Sequence, residues 1–150
     1  MTKALVFDMD GTIANLYGVN NWLSELRDES TYPYEVAEPM YDMDELSEIL
    51  TILKKERGWQ IIVTTWTSKG GSKTYNKAVS YAKVNWLKRH NFPYDSIHCV
   101  KYGTTKANCT RKLGGFQILI DDNKKVRDGW TLGTTINAQF NILPALKALL

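Results

Sequence analysis

The stretch "ALVFDMDGT" ends an apolar run, Ala4 to Phe7, in two aspartates one residue apart, Asp8 and Asp10. Alternate residues of an extended backbone share a face, so the two carboxylates point the same way. Like charges held that close push one pKa up unless something neutralises them. Further polar residues close other apolar runs: Thr64 and Thr65 end "WQIIVTT", Lys106 follows "KYGTT", and Asp121 and Asp122 end "FQILIDD". Carboxylates, hydroxyls and an ammonium gathered in one place would suit an anionic substrate and nucleophilic or acid–base chemistry.

Bringing these residues together requires strands that alternate with helices. Lys3 to Phe7 is the first predicted strand. Asp42 is a predicted helix N-cap with Glu45 completing a capping box; Leu46, Ile49, Leu50 and Leu53 then repeat at i, i+3, i+4 and i+7, and Gly58 supplies a stop. "WQIIVTT" is rich in β-branched residues, as expected of a strand covered on both faces. Tyr75, Val79, Ala82 and Trp86 form the next helical stripe, which Asn91 and Pro93 end. "SIHCV" is a third strand, and a short helix runs from near Thr105 to Gly114-Gly115. "FQILI" is a fourth strand, "GTTIN" a weaker fifth, and "ILPALKALL" a last helix with proline in its first turn. This order predicts an α/β, Rossmann-like three-layer α/β/α sandwich with right-handed crossovers around a mainly parallel sheet of about five strands. In such sheets ligands bind at the carboxyl ends of the strands, where these polar residues fall.

The chain has 150 residues, 43% hydrophobic and 23% charged, which predicts one soluble globular domain over 1–150. Nineteen basic residues against sixteen acidic ones give a net charge of +3, which suits an anionic substrate without requiring nucleic acid. No apolar run approaches the roughly 20 residues of a membrane span, and the N-terminus lacks a signal-peptide pattern. Cys99 and Cys109 have neither the number nor the spacing of a disulfide framework or a metal knuckle. A cytoplasmic setting is therefore expected.

"FDMDGT", the end of "IIVTT", Lys106 and "ILIDD" resemble, in chain order, the four motifs of the haloacid dehalogenase (HAD) superfamily, and the resemblance covers nearly the whole chain. It implies Mg²⁺ as the neutralising group, held by the Asp8 carboxylate, the Asp10 backbone carbonyl and a carboxylate of the last motif. Asp122 aligns with the ligating position there, and Asp121 is an outer or alternative ligand. The resemblance also implies that Asp8 is the nucleophile of an aspartyl-phosphate pathway and Asp10 its general acid, then general base. Thr64 and Lys106 would contact the phosphoryl group, with Gly11, Thr12, Thr65 and Trp66 as further phosphate or substrate contacts. Asp10, with Thr12 after the glycine, favours phosphatase or phosphotransferase chemistry over dehalogenation. Thr65 replaces Thr64 if the strand register slips by one. Lys101 is the alternative to Lys106, which "GTTK" puts where a helix should start. Asp128 is either a supporting carboxylate or a solvated helix-face charge.

Other features read as structure. "KGGSKT" (69–74) separates its glycine from its lysine by Ser72 and so fails as a phosphate loop, leaving a basic loop over the strand ends. His90 and His98 are isolated and form no zinc set with the cysteines.

The segment from Ala14 to Tyr41 is short for a cap and predicts at most a small lid. It is aromatic, with Tyr17, Trp22, Tyr32, Tyr34 and Tyr41; such rings either stack on a base or close a small satellite cluster. Trp66 is the best single candidate for a substrate-facing ring. The region from Gly58 to Leu87 also resembles the phosphatase half of phage-type polynucleotide kinases, with Trp66 where those enzymes carry arginine. The expected function is a Mg²⁺-dependent phosphomonoesterase acting on a small phosphorylated substrate, a nucleotide or a nucleic-acid 3′-phosphate end, with a sugar phosphate as the alternative. A protein that binds and sequesters a nucleotide-like ligand without turnover, or a scaffold with a vestigial site, are the readings from other classes.

Overall fold

The first strand, β1 (Lys3–Phe7), takes the central place in the computed structural model, which describes residues 1–150. Its side chains from Ala4 to Phe7 are wholly buried, as a strand covered on both faces requires. Beyond it, β2 (Ala14–Asn15) pairs antiparallel with β3 (Glu38–Pro39), and α1 (Trp22–Arg27) and α2 (Tyr32–Val36) lie between them. Neither helix was read from the sequence. Both are short, six and five residues, and α2 carries Pro33 in its first turn.

The long helix α3 (Met43–Arg57) begins at Asp42, whose carboxylate accepts from the N–H groups of Asp44 and Glu45, and stops at Gly58 in the left-handed region (φ 75°). The second half of the expected capping box does not form; Glu45 pairs instead with Lys147, 2.9 Å away, tying α3 to the last helix. There follow β4 (Trp59–Trp66), α4 (Lys73–Arg89), β5 (Ser96–Val100), α5 (Ala107–Thr110), β6 (Phe116–Asp121), α6 (Lys124–Asp128), β7 (Thr135–Asn137) and α7 (Leu143–Lys147).

Five strands form one sheet in the order β5-β4-β1-β6-β7, and every pairing is parallel. One face, with Leu5, Phe7, Ile61, Val63, Ile118 and Ile120, packs on α3, α7 and the C-terminal half of α4. The opposite face, with Ala4, Val6, Ile62 and Leu119, packs on the thinner layer of α5, α6 and Trp130. This is the expected Rossmann-like α/β/α arrangement. A third cluster joins Leu16 and Tyr34 to Tyr75, Val79 and Ala82 of α4, so the 14–41 segment leans on α4. No helix is long and apolar enough to cross a membrane.

The register determines what the strand ends present. Phe7 lies opposite Val63 on one side and Ile120 on the other, so the residues that follow, Asp8, Thr64 and Asp121, emerge level with one another.

Candidate active site

Past β1 the chain turns tightly. The Asp8 N–H still donates to the Ile120 carbonyl at 2.9 Å, and the Met9 carbonyl then accepts from the N–H groups of Thr12, Ile13 and Ala14. This turn brings the Thr12 hydroxyl back to donate to Asp8 Oδ2 at 3.0 Å. Gly11 has φ +79°, and a β-carbon there would overlap Asp122 Oδ2 and the Tyr17 ring. Glycine is required twice over, by its backbone and by what crowds it.

Lys106, at the start of α5, holds the other side of Asp8. Its ammonium is 2.8 Å from Asp8 Oδ1 and 2.8 Å from Asp121 Oδ2, and it lies 5.3 Å from the Trp66 ring centre. Burial pulls this ammonium down, but the Asp8 and Asp121 carboxylates more than offset it and hold its pKa above the ordinary lysine value. The Trp66 ring is fixed by its indole N–H, which donates to the Thr104 carbonyl at 2.8 Å.

Carboxylate oxygens of Asp8, Asp121 and Asp122 all lie within 4.8 Å of one another. Burial raises the Asp121 carboxyl above its ordinary range, and the neighbouring Asp8 charge adds to this against Lys106. Asp122 is pushed up to about 7, by burial first and by Asp8 next. With Asp10, four carboxyl groups face two ammoniums, Lys106 and Lys83, so their full ionisation leaves an excess of two negative charges. A hard divalent cation such as Mg²⁺ fits this donor set in both charge and oxygen chemistry.

Asp10 meets a partner that the sequence reading overlooked. Lys83, in the middle of α4 and fully buried, places its ammonium 2.7 Å from Asp10 Oδ2, 2.7 Å from Thr65 Oγ1 and 2.8 Å from the Trp66 carbonyl. The Tyr34 ring covers it with its centre 5.0 Å away. Burial raises the Asp10 carboxyl above the ordinary carboxylate range, and the Lys83 ammonium opposes that shift. The signal was available: Val79, Ala82, Lys83 and Trp86 stand at i, i+3, i+4 and i+7, so a lysine sits on the apolar face of its helix.

Asp8, Asp10, Thr65, Trp66, Lys106, Asp121 and Asp122 line one cavity of about 330 Å³, to which the 14–41 segment contributes Tyr17, Trp22 and Tyr34. Its size is that of a small-ligand pocket. Thr64 is not part of its lining; its hydroxyl is buried and has no hydrogen-bond partner. Of the two threonines, it is therefore Thr65 that reaches the cavity, because consecutive strand residues face opposite ways and Lys83 draws the Thr65 hydroxyl to its side. Lys101 is exposed and forms no ion pair, whereas Lys106 pairs with both Asp8 and Asp121. Asp128 lies on the surface in an i,i+4 pair with Lys124, the solvated alternative. Gly11 and Thr12, expected as phosphate or substrate contacts, are buried and are not part of the cavity lining. Tyr102, unremarked in the sequence, packs against Trp66 with ring centres 4.9 Å apart.

No family model and no curated protein matches this sequence. Among solved structures, the fold is similar to that of a D,D-heptose 1,7-bisphosphate phosphatase from Burkholderia thailandensis. The two are 16% identical, the alignment covers 89% of this chain and 75% of that one, and the TM-score is 0.55. The chain therefore shares the Rossmann-like α/β fold of that phosphatase.

Proposed function

We propose that this protein is a Mg²⁺-dependent phosphomonoesterase that works through an aspartyl-phosphate on Asp8. The observation that carries the reading is the arrangement around Asp8. Lys106 and Thr12 fix its two oxygens at 2.8 and 3.0 Å, beside the acidic pair Asp121 and Asp122. Asp8, Asp122 and the backbone carbonyl of Asp10 would hold Mg²⁺, with Asp121 beside them; the ion would supply charge neutralisation for the incoming phosphoryl group.

The rest is work for the chain's own residues. An Asp8 oxygen attacks phosphorus while the ester P–O bond breaks, and Asp10 gives its proton to the departing oxygen. Asp10 then takes a proton from water as the water attacks the acyl-phosphate, which releases phosphate and restores Asp8. Lys106 keeps Asp8 oriented throughout, and Thr65 offers a hydroxyl at the cavity wall. The 14–41 segment acts as a small lid, and its rings with Trp66 form an aromatic wall for the organic part of the substrate. That wall favours a nucleotide or a nucleic-acid 3′-phosphate end. The solved phosphatase of similar fold is named for a sugar bisphosphate, which keeps sugar phosphates in the test set.

The test is phosphate release in Mg²⁺ from nucleoside monophosphates, a 3′-phosphorylated oligonucleotide and sugar phosphates. Turnover favouring the aromatic substrates supports the reading. Tight binding of one of them without turnover points to a sequestering protein.

A further inference from the structure

We infer that Lys83 is a positioning residue for the proton transfer assigned to Asp10, an inference that rests on the phosphatase reading above. An ammonium has three protons, and Lys83 places all three: on Asp10 Oδ2 at 2.7 Å, on Thr65 Oγ1 at 2.7 Å and on the Trp66 carbonyl at 2.8 Å. The group is fully buried, and the Tyr34 ring closes over it. Burying a lysine is costly unless it is paired and its geometry is good, and replacing such a pair with apolar residues is often neutral or stabilising. Core packing alone would be served as well by leucine or methionine at this position of α4.

Lys83 supplies a fixed direction for Asp10. With Oδ2 held, Oδ1 is the oxygen left to exchange a proton with the leaving group and then with water, and the carboxylate cannot rotate between the two steps. The same ammonium grips the end of β4 at Thr65 and Trp66. It thereby fixes the separation between the acid–base group and the cavity wall built from that strand end. A deviation of about 1 Å in such a placement is enough to cost a large part of the rate.

The test compares kcat/KM for an alkyl phosphate and for 4-nitrophenyl phosphate, in Mg²⁺, with wild type and Lys83→Met. This constant reports the steps up to formation of the aspartyl-phosphate. An alkoxide needs the Asp10 proton in order to leave, whereas nitrophenolate does not. Lys83→Met is expected to lose about 100-fold on the alkyl phosphate and about threefold or less on the aryl phosphate. Equal losses on both would overturn the inference, since a merely structural lysine has no reason to distinguish leaving groups.

Lys83→Met leaves Asp10 buried without its partner and could fail to fold. The double variant Asp10→Asn/Lys83→Met avoids this, because it leaves no unpaired charge; its reference is Asp10→Asn, in which Lys83 keeps Thr65 Oγ1, the Trp66 carbonyl and the new amide oxygen as acceptors. Acting through Asp10, Lys83 adds nothing once Asp10 is gone, so the two variants are expected to agree within about twofold. A further large loss in the double variant would overturn the inference. A wild type inert on both phosphates would overturn the phosphatase reading and this inference with it, whereas an active wild type with equal losses overturns this inference alone.

Discussion

Gly11 stands so close to Asp122 that even a single methyl group on its α-carbon would overlap the carboxylate. The turn after β1 and the end of β6 are thus fitted to each other, and the fit brings Asp122 to Asp8. Gly11→Ala is expected to strain the backbone at φ +79° by about 1 kcal/mol and to displace Asp122. The second effect is the larger one for function: Mg²⁺ affinity should fall about 10-fold or more. Calorimetric titration of Mg²⁺ into both proteins checks this. Unchanged affinity would mean that Asp122 does not hold the ion.

The acidic cluster also predicts how stability depends on pH. Asp122 is pushed up to about 7, so between the ordinary carboxylate range and that value the folded chain holds a proton that the unfolded chain has lost. Its contribution is therefore fully present at low pH and fades as pH rises towards 7. Asp10 and Asp121 are shifted in the same direction. Without Mg²⁺, the melting temperature should fall as pH rises through this window, and saturating Mg²⁺ should remove most of the slope. Thermal melts across pH, with and without the ion, test it. A Mg²⁺ effect that is the same at pH 5 and pH 7 would contradict the assignment.

Thr64 and Thr65 make a matched pair of controls. The Thr64 hydroxyl is buried with no partner, so Thr64→Val exchanges an unsatisfied group for a methyl and should leave the protein equally stable or slightly more so. Thr65→Val removes an acceptor from the buried Lys83 ammonium and should cost about 1–3 kcal/mol. It should also lower turnover, while Thr64→Val keeps activity within about threefold. The reverse ranking in a denaturation and activity comparison would return the role to Thr64.

Much of this molecule was legible in its sequence because the signals were local. The β-branched runs, the Asp42 cap, the Gly58 stop and the apolar stripes of α3 and α4 each specify their element without help from distant residues. The positions of Asp8, Lys106 and Asp121 at strand ends and at a helix start followed from the alternation of strands and helices alone. What could not be read depended on tertiary contacts. The helices α1 and α2 are too short to carry a periodic signature, and they are held by packing of Leu16 and Tyr34 on α4. Glu45 gave up its capping bond because Lys147, distant in the chain, lies beside it. The choice between Thr64 and Thr65 turned on Lys83, whose polar partners come from β4 and from the turn after β1.

The central claim is that Asp8 takes the phosphoryl group with Mg²⁺ bound beside it. The most direct measurement is phosphate release from 4-nitrophenyl phosphate by wild type and by Asp8→Asn, each with Mg²⁺ and with the metal chelated. Turnover is expected in wild type with Mg²⁺ and in none of the other three, with a loss of at least about 1000-fold in Asp8→Asn. Asp8→Asn that retains wild-type turnover, or a wild type indifferent to chelation, would contradict the account.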